Sequence, residues 1–129
     1  MAKTALVTGA SSGIGREIAR DLSARGFRVI LSARREERLR ELAEELGDNT
    51  RVVVCDVSDR EECLRLYEET KNEKISVLVN CAGFGAVGSF DELPLDTELK
   101  MIDTNVTAVH MLTKLFLKDF VAADRGYIM

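Results

Sequence analysis

Thr4-Ala5-Leu6-Val7-Thr8-Gly9-Ala10-Ser11-Ser12-Gly13-Ile14-Gly15 passes from a short apolar run into a glycine-rich turn and then into a helical pattern, and this passage decides the fold. Gly9 lets the chain leave a strand sharply, Gly13 leaves room for a pyrophosphate to approach the backbone, and Gly15 lets the following helix lie close to the strand. Ile14, Ile18 and Leu22 recur every four residues, which predicts a helix with an apolar stripe on a sheet and its positive N-terminal end at the turn. A second strand is predicted within about thirty residues, the setting in which such a turn is a phosphate cradle and not only a tight loop.

Working outward, Gly26 is placed to end that helix, and residues 27–33 read as a strand apolar enough to be buried on both faces. In a dinucleotide fold the end of this strand carries the group that reads the adenosine ribose, about twenty residues past the glycines. Arg34 stands there, beside Arg35. No carboxylate occurs from Arg28 to Arg35 to accept from a free 2′-hydroxyl, whereas two adjacent guanidinium groups suit a 2′-phosphate. The expected cofactor is therefore NADP(H). The two arginines also fit the solvated start of the next helix, and for Arg35 alone both readings stand.

That helix is predicted over residues 36–46, with Leu39, Leu42, Ala43 and Leu46 on one face and Gly47 ending it. Residues 51–57 read as a third buried strand, and Ser58-Asp59-Arg60-Glu61 fits a capping box for a helix over residues 59–71. Residues 75–79 form a fourth strand. A long helix is predicted over residues 97–123, and residues 126–129 begin a fifth strand.

The spacing Gly-x-x-x-Gly-x-Gly within residues 8–15 resembles the short-chain dehydrogenase/reductase family, of the ordinary type. The resemblance covers the whole chain and about half the family's usual length, its cofactor-binding half. It implies that Gly9, Ser11, Ser12, Gly13, Ile14 and Gly15 hold the cofactor, and that Asp56 and Val57 lie beside its adenine. Asp56 also fits a turn or cap. Asn80-Cys81-Ala82-Gly83 resembles the family's Asn-Asn-Ala-Gly signature with one Asn replaced by Cys81. Ala82 and Gly83 would let the backbone approach the cofactor ribose, and Asn80 would tie the strand end to neighbouring backbone groups. By the same resemblance Asn105 is a catalytic residue, holding a water for a proton relay, and the loop 84–90 is either part of a substrate pocket or local packing.

The fold this implies is an α/β three-layer sandwich, with a Rossmann-like parallel sheet in the order 3-2-1-4-5 that breaks off after the start of strand five. Residues 1–129 make one NAD(P)-binding domain. The activity implied is hydride transfer between NADP(H) and a carbonyl or alcohol, with the family's catalytic Ser and Tyr-x-x-x-Lys lying in the other half. Tyr67-Glu68-Glu69-Thr70-Lys71 matches that pair by spacing alone. Tyr67 shares a helical face with Cys63, Leu66 and Thr70, and the family's pair follows a fifth strand, so a packing role is expected. Alternatives are a non-catalytic nucleotide-binding or dimerisation module, and one subunit completed by a separate C-terminal half.

The remaining composition narrows the class. With 129 residues the chain has the length of one ordinary domain, and its net charge of −4 offers no basic field for nucleic acid. No apolar run is long enough to span a bilayer, and the first strand begins directly after Lys3, so a cytoplasmic protein is expected. Cys55, Cys63 and Cys81 fit neither a metal motif nor a redox pair and read as reduced packing residues. No metal site is expected, and His110 is read as a packed or surface residue. A homo-oligomer is expected, because helix 97–123 is apolar on two sides. Leu99, Ile102, Val106, Val109, Thr113, Phe116 and Phe120 run along one side, and Met101, Ala108, Met111, Leu112 and Leu115 along another. The interface is expected to centre on Met111, Leu112, Leu115 and Phe116, with the open edge at residues 127–129 at its margin.

Overall fold

Buried apolar strands joined by amphipathic helices leave only layered solutions, and the computed structural model, which describes residues 3–129, adopts one of them. In chain order the elements are β1 (Thr4–Thr8), α1 (Gly13–Ala24), β2 (Arg28–Ala33), α2 (Glu36–Leu46), β3 (Thr50–Val54), α3 (Arg60–Thr70) with a 3-10 turn (Lys71–Glu73), β4 (Ile75–Val79), α4 (Leu95–Ile102), a π turn (Asp103–Thr107), α5 (Ala108–Ala123) and β5 (Tyr127–Ile128). The five strands form a parallel sheet in the order β3-β2-β1-β4-β5. Strand alternation divides the core in two. Leu6, Ile30, Val53 and Leu78 meet Cys63 and Leu66 of α3 and Leu112, Phe116 and Phe120 of α5. Val7, Val29, Leu31 and Val79 meet Ala19 of α1 and Leu39 and Leu42 of α2 on the opposite face.

Three local expectations differ from the structure. Ile14 is 75% exposed and stands off the sheet-facing stripe of α1, which is made by Gly15 and Ala19 with Ile18 and Leu22 half-buried. The small residues let α1 sit too close for a branched side chain to fit between helix and strand. The capping box does not form. Asp59 is the N-cap of α3, its carboxylate accepting from the Glu61 N–H at 2.9 Å, while Ser58 donates from its N–H and Oγ to Asp56 at 3.0 and 2.7 Å.

The third difference concerns the long helix, which starts at Leu95 and contains the π turn. A π turn places one extra residue in the helix and rotates everything beyond it, so a stripe counted across it does not stay on one face. Thr104, Ala108, Leu112, Phe116 and Phe120 face the sheet. Leu112 and Phe116 are each 1% exposed, which removes them from the expected subunit interface. The large apolar side chains left at the surface of this helix are Leu95, Leu99, Ile102, Val106, Leu117 and Val121, between 46% and 70% exposed.

Candidate functional site

The carboxyl ends of β1 to β4 open onto one cleft of about 280 Å³. Its floor is the turn after β1. Gly9 has φ +63°, and a Cβ there would lie 2.6 Å from the Cys81 carbonyl oxygen and 2.7 Å from the Ala82 nitrogen. At Gly15 a Cβ would lie 2.3 Å from the Gly9 carbonyl oxygen. Only glycine permits β1, the turn, α1 and the end of β4 to converge so closely. Helix α1 has no acidic residue in its first turn, and Ser12 makes no side-chain cap. The free N–H groups and the positive helix end are thus left to an anion.

Twelve of the thirteen residues expected to hold a cofactor line this cleft: Gly9, Ser11, Ser12, Gly13, Ile14, Gly15, Arg34, Arg35, Asp56, Val57, Ala82 and Gly83. Arg35 is the N-cap residue of α2 and reaches back over the turn, donating from one Nη to Ser11 Oγ at 3.2 Å and to Ser12 Oγ at 3.1 Å. It belongs both to the helix start and to the cleft. Asp56 forms the turn with Ser58 described above and still borders the cleft.

Asn80, the thirteenth, points elsewhere. Its side-chain amide donates to Thr113 Oγ1 at 3.1 Å, tying the end of β4 to α5, and it is not part of the cleft wall. The backbone tie expected of it is made by Thr8. That hydroxyl accepts from the N–H groups of Cys81 and Ala82 at 3.1 and 3.2 Å and donates to the Val79 carbonyl at 3.3 Å. Thr8 was legible only as a strand residue, since its partners lie more than seventy positions away.

Asn105 sits in the π turn, outside the cleft wall, and both ends of its amide grip one residue. Its Oδ1 accepts from the Phe84 N–H at 3.0 Å and its Nδ2 donates to the Phe84 carbonyl at 2.8 Å. A Cβ on Gly83 would stand 2.8 Å from that Oδ1, so the glycine beside the cleft is also what admits the clamp. Asn105 thereby sets the course of the loop leaving β4.

Tyr67 lies away from the cleft, between α3 and α5. Its hydroxyl donates to Asp119 at 2.7 Å, and its ring packs edge-on against Phe116 at 5.0 Å. Desolvation, and then the Asp119 carboxylate, push its pKa up to about 12. Lys71 is paired with Glu68 at 2.7 Å. The three cysteines are free; burial raises all three thiols, Cys55 to about 12 and Cys63 to about 11, and holds them neutral. Among the described residues there is no cluster of three or more metal-ligating side chains, and no helix is long and apolar enough to cross a membrane.

The sequence model for short chain dehydrogenases matches residues 3–129. A 3-oxoacyl-[acyl-carrier-protein] reductase of Rickettsia prowazekii is 37% identical, over 98% of this chain and 52% of its own length. Among solved structures, a metagenomic short-chain oxidoreductase in complex with NADP superposes with a TM-score of 0.92 at 34% identity, covering 98% of this chain and 59% of that one. A short-chain dehydrogenase of Sphingobium yanoikuyae in complex with NADPH gives 0.92 at 30% identity, over 98% and 51%. The chain therefore spans about half the length of the relatives it matches.

Proposed function

We propose, from the premise that the chain belongs to the short-chain dehydrogenase family, that residues 1–129 form the NADP(H)-binding domain of an oxidoreductase acting on a carbonyl or alcohol substrate. The observation that carries the cofactor assignment is the end of β2. Arg34 and Arg35 border the cleft there with no carboxylate from Arg28 to Arg35, and Arg35 is already anchored to Ser11 and Ser12. The glycine contacts fit a bound pyrophosphate, since a side chain at Gly9 or Gly15 would meet main chain of residue 81 or residue 9 and force apart the elements that shape the cradle. Bound dinucleotide supplies the hydride donor or acceptor. The chain's own residues do the rest of the binding: the turn N–H groups hold the pyrophosphate, Arg34 and Arg35 the 2′-phosphate, Asp56 and Val57 flank the adenine, and Ala82 and Gly83 admit the ribose. Asn105 fixes the Phe84 backbone beside them.

Calorimetric titration tests this. NADPH is expected to bind more tightly than NADH, and Arg34→Ala to lose about ten- to a hundredfold in NADPH affinity, the worth of a charge-assisted hydrogen-bonded pair. Equal affinities for the two nucleotides, or an unaffected variant, would overturn the assignment.

A second reading, a nucleotide-binding or dimerisation module without catalysis of its own or one subunit completed by a separate C-terminal half, draws support from Tyr67. The one Tyr-x-x-x-Lys pair among the described residues serves as packing between helices. Self-association fits either reading, through the exposed row Leu99, Ile102, Val106, Leu117 and Val121 rather than through Leu112. Sedimentation equilibrium at micromolar concentration is expected to give twice the chain mass of 14.3 kDa, and Val121→Glu to give the monomer. A monomeric wild-type protein would refute it.

A further inference from the structure

Strand β2 carries a hydroxyl that packing does not account for. Ser32 is 1% exposed in a strand whose other buried residues are Val29, Ile30 and Leu31, and no protein group is hydrogen-bonded to its Oγ. Its carbonyl is satisfied by the Ala10 N–H at 3.1 Å. A buried hydroxyl without a partner opposes folding, and alanine or valine would fill the same place without that penalty.

Strand alternation sets the direction of the side chain. Val29 and Leu31 face α1 and α2, in the half of the core that contains Ala10. Ile30 faces the other half, with Val53, Cys55 and Val57, and Ser32 follows Ile30 by two positions. Ser32 also stands in register between Thr8 and Val53. It therefore lies on the side of the sheet that carries Val57, not on the side of the Ser11, Ser12 and Arg35 clasp, and it is part of the cleft wall. A serine hydroxyl turns about a single bond, so it can meet an acceptor in the cleft without any movement of the strand.

We propose that Ser32 is a nucleotide-contacting residue whose hydroxyl donates to an acceptor on the adenosine, the part that NADPH and NADH share. This rests on the cofactor assignment above, and it gives Ser32 a task different from that of Arg34. Arg34 would discriminate between the two nucleotides; Ser32 would strengthen both alike.

The test is calorimetric titration of the chain with NADPH and with NADH, in wild type and Ser32→Ala, beside thermal unfolding without nucleotide. Affinity for both nucleotides is expected to fall by the same factor, about three- to tenfold, as for one neutral hydrogen bond. The preference for NADPH should be unchanged, and the ligand-free unfolding temperature should rise. Ser32→Cys, which nearly keeps the size with a much weaker donor, is expected to show the same loss of affinity and separates the lost donor from the lost volume. Unchanged affinities overturn the proposal, as does a loss confined to NADPH, which would put the hydroxyl on the 2′-phosphate. A lower ligand-free unfolding temperature would mark Ser32 as structural and overturn it too. A wild-type chain that binds neither nucleotide removes the cofactor assignment and this inference together, whereas wild-type binding untouched by either variant removes this inference alone.

Discussion

Purified chain 1–129 is expected to reduce no carbonyl substrate with NADPH above the buffer rate. A positioned acid or base contributes about a hundred- to ten-thousandfold to such a reaction, and its pKa must lie near the working pH. Tyr67, the only tyrosine followed by a lysine at the family's spacing, meets neither condition. Its hydroxyl is committed to Asp119, and desolvation with that carboxylate pushes its pKa up to about 12, away from neutrality. It packs on Phe116 within the helix layer, on none of the surfaces that form the cleft. Lys71, which would have to lower that pKa, sits 5.9 Å from the centre of the Tyr67 ring and is ion-paired to Glu68. The check is NADPH consumption at 340 nm, roughly the absorbance maximum of the reduced nicotinamide that supplies the hydride, across aldehydes, ketones and 3-oxoacyl thioesters. Turnover that survives purification and disappears in Tyr67→Phe would sink the prediction and the reading of Tyr67 with it.

Gly15→Ala is expected to destabilise the protein by about 3 kcal/mol, the upper end of what overpacking costs, because the obstacle is main chain and not a side chain that can turn away. Its Cβ would stand 2.3 Å from the Gly9 carbonyl oxygen and 3.1 Å from Cys81 Cβ. To relieve this, α1 must retreat from the turn, and the cradle opens with it. Gly13→Ala provides the contrast. Nothing lies within 4 Å of its Cβ, and only the φ of +55° opposes it, worth about 1 to 2 kcal/mol. Urea unfolding of the two variants measures the difference directly. A Gly15→Ala protein as stable as Gly13→Ala would show that the turn is not closed by the contact with Gly9.

The order of the sheet, the helix at residues 36–46, the strand at residues 75–79 and the position of the glycine turn follow from chain chemistry, and the structure has them where the sequence puts them. Buried parallel strands need unbroken apolar runs, covering helices need a 3.6-residue stripe, and a right-handed crossover leaves little choice of topology. These signals act over a few residues, so one chain suffices to read them. Of the twelve cleft residues, the turn glycines and Arg34 were legible from local chemistry, whereas Asp56, Val57, Ala82 and Gly83 were named through the family resemblance; the fold brings them together at the strand ends and the turn.

What escaped the sequence depends on partners far apart in it. Thr8 takes over the backbone tie expected of Asn80, because its hydroxyl meets the N–H groups of residues 81 and 82 past the end of the neighbouring strand, while Asn80 turns to Thr113 on α5. Asn105 was found by resemblance, but its grip on Phe84 needs the space left by Gly83. The surface of the long helix was misread because a helix with two apolar sides does not tell which side meets the sheet: Leu112 and Phe116, one turn apart on α5, are in the core, and Leu117 and Val121 are left outside. Periodicity and the glycine spacing therefore determined by themselves that this chain folds as a layered parallel sheet with a glycine turn between β1 and α1. The tertiary structure alone decided which hydroxyls and amides the cradle leans on, because a hydrogen bond depends on where two distant segments meet, and no local pattern encodes that distance.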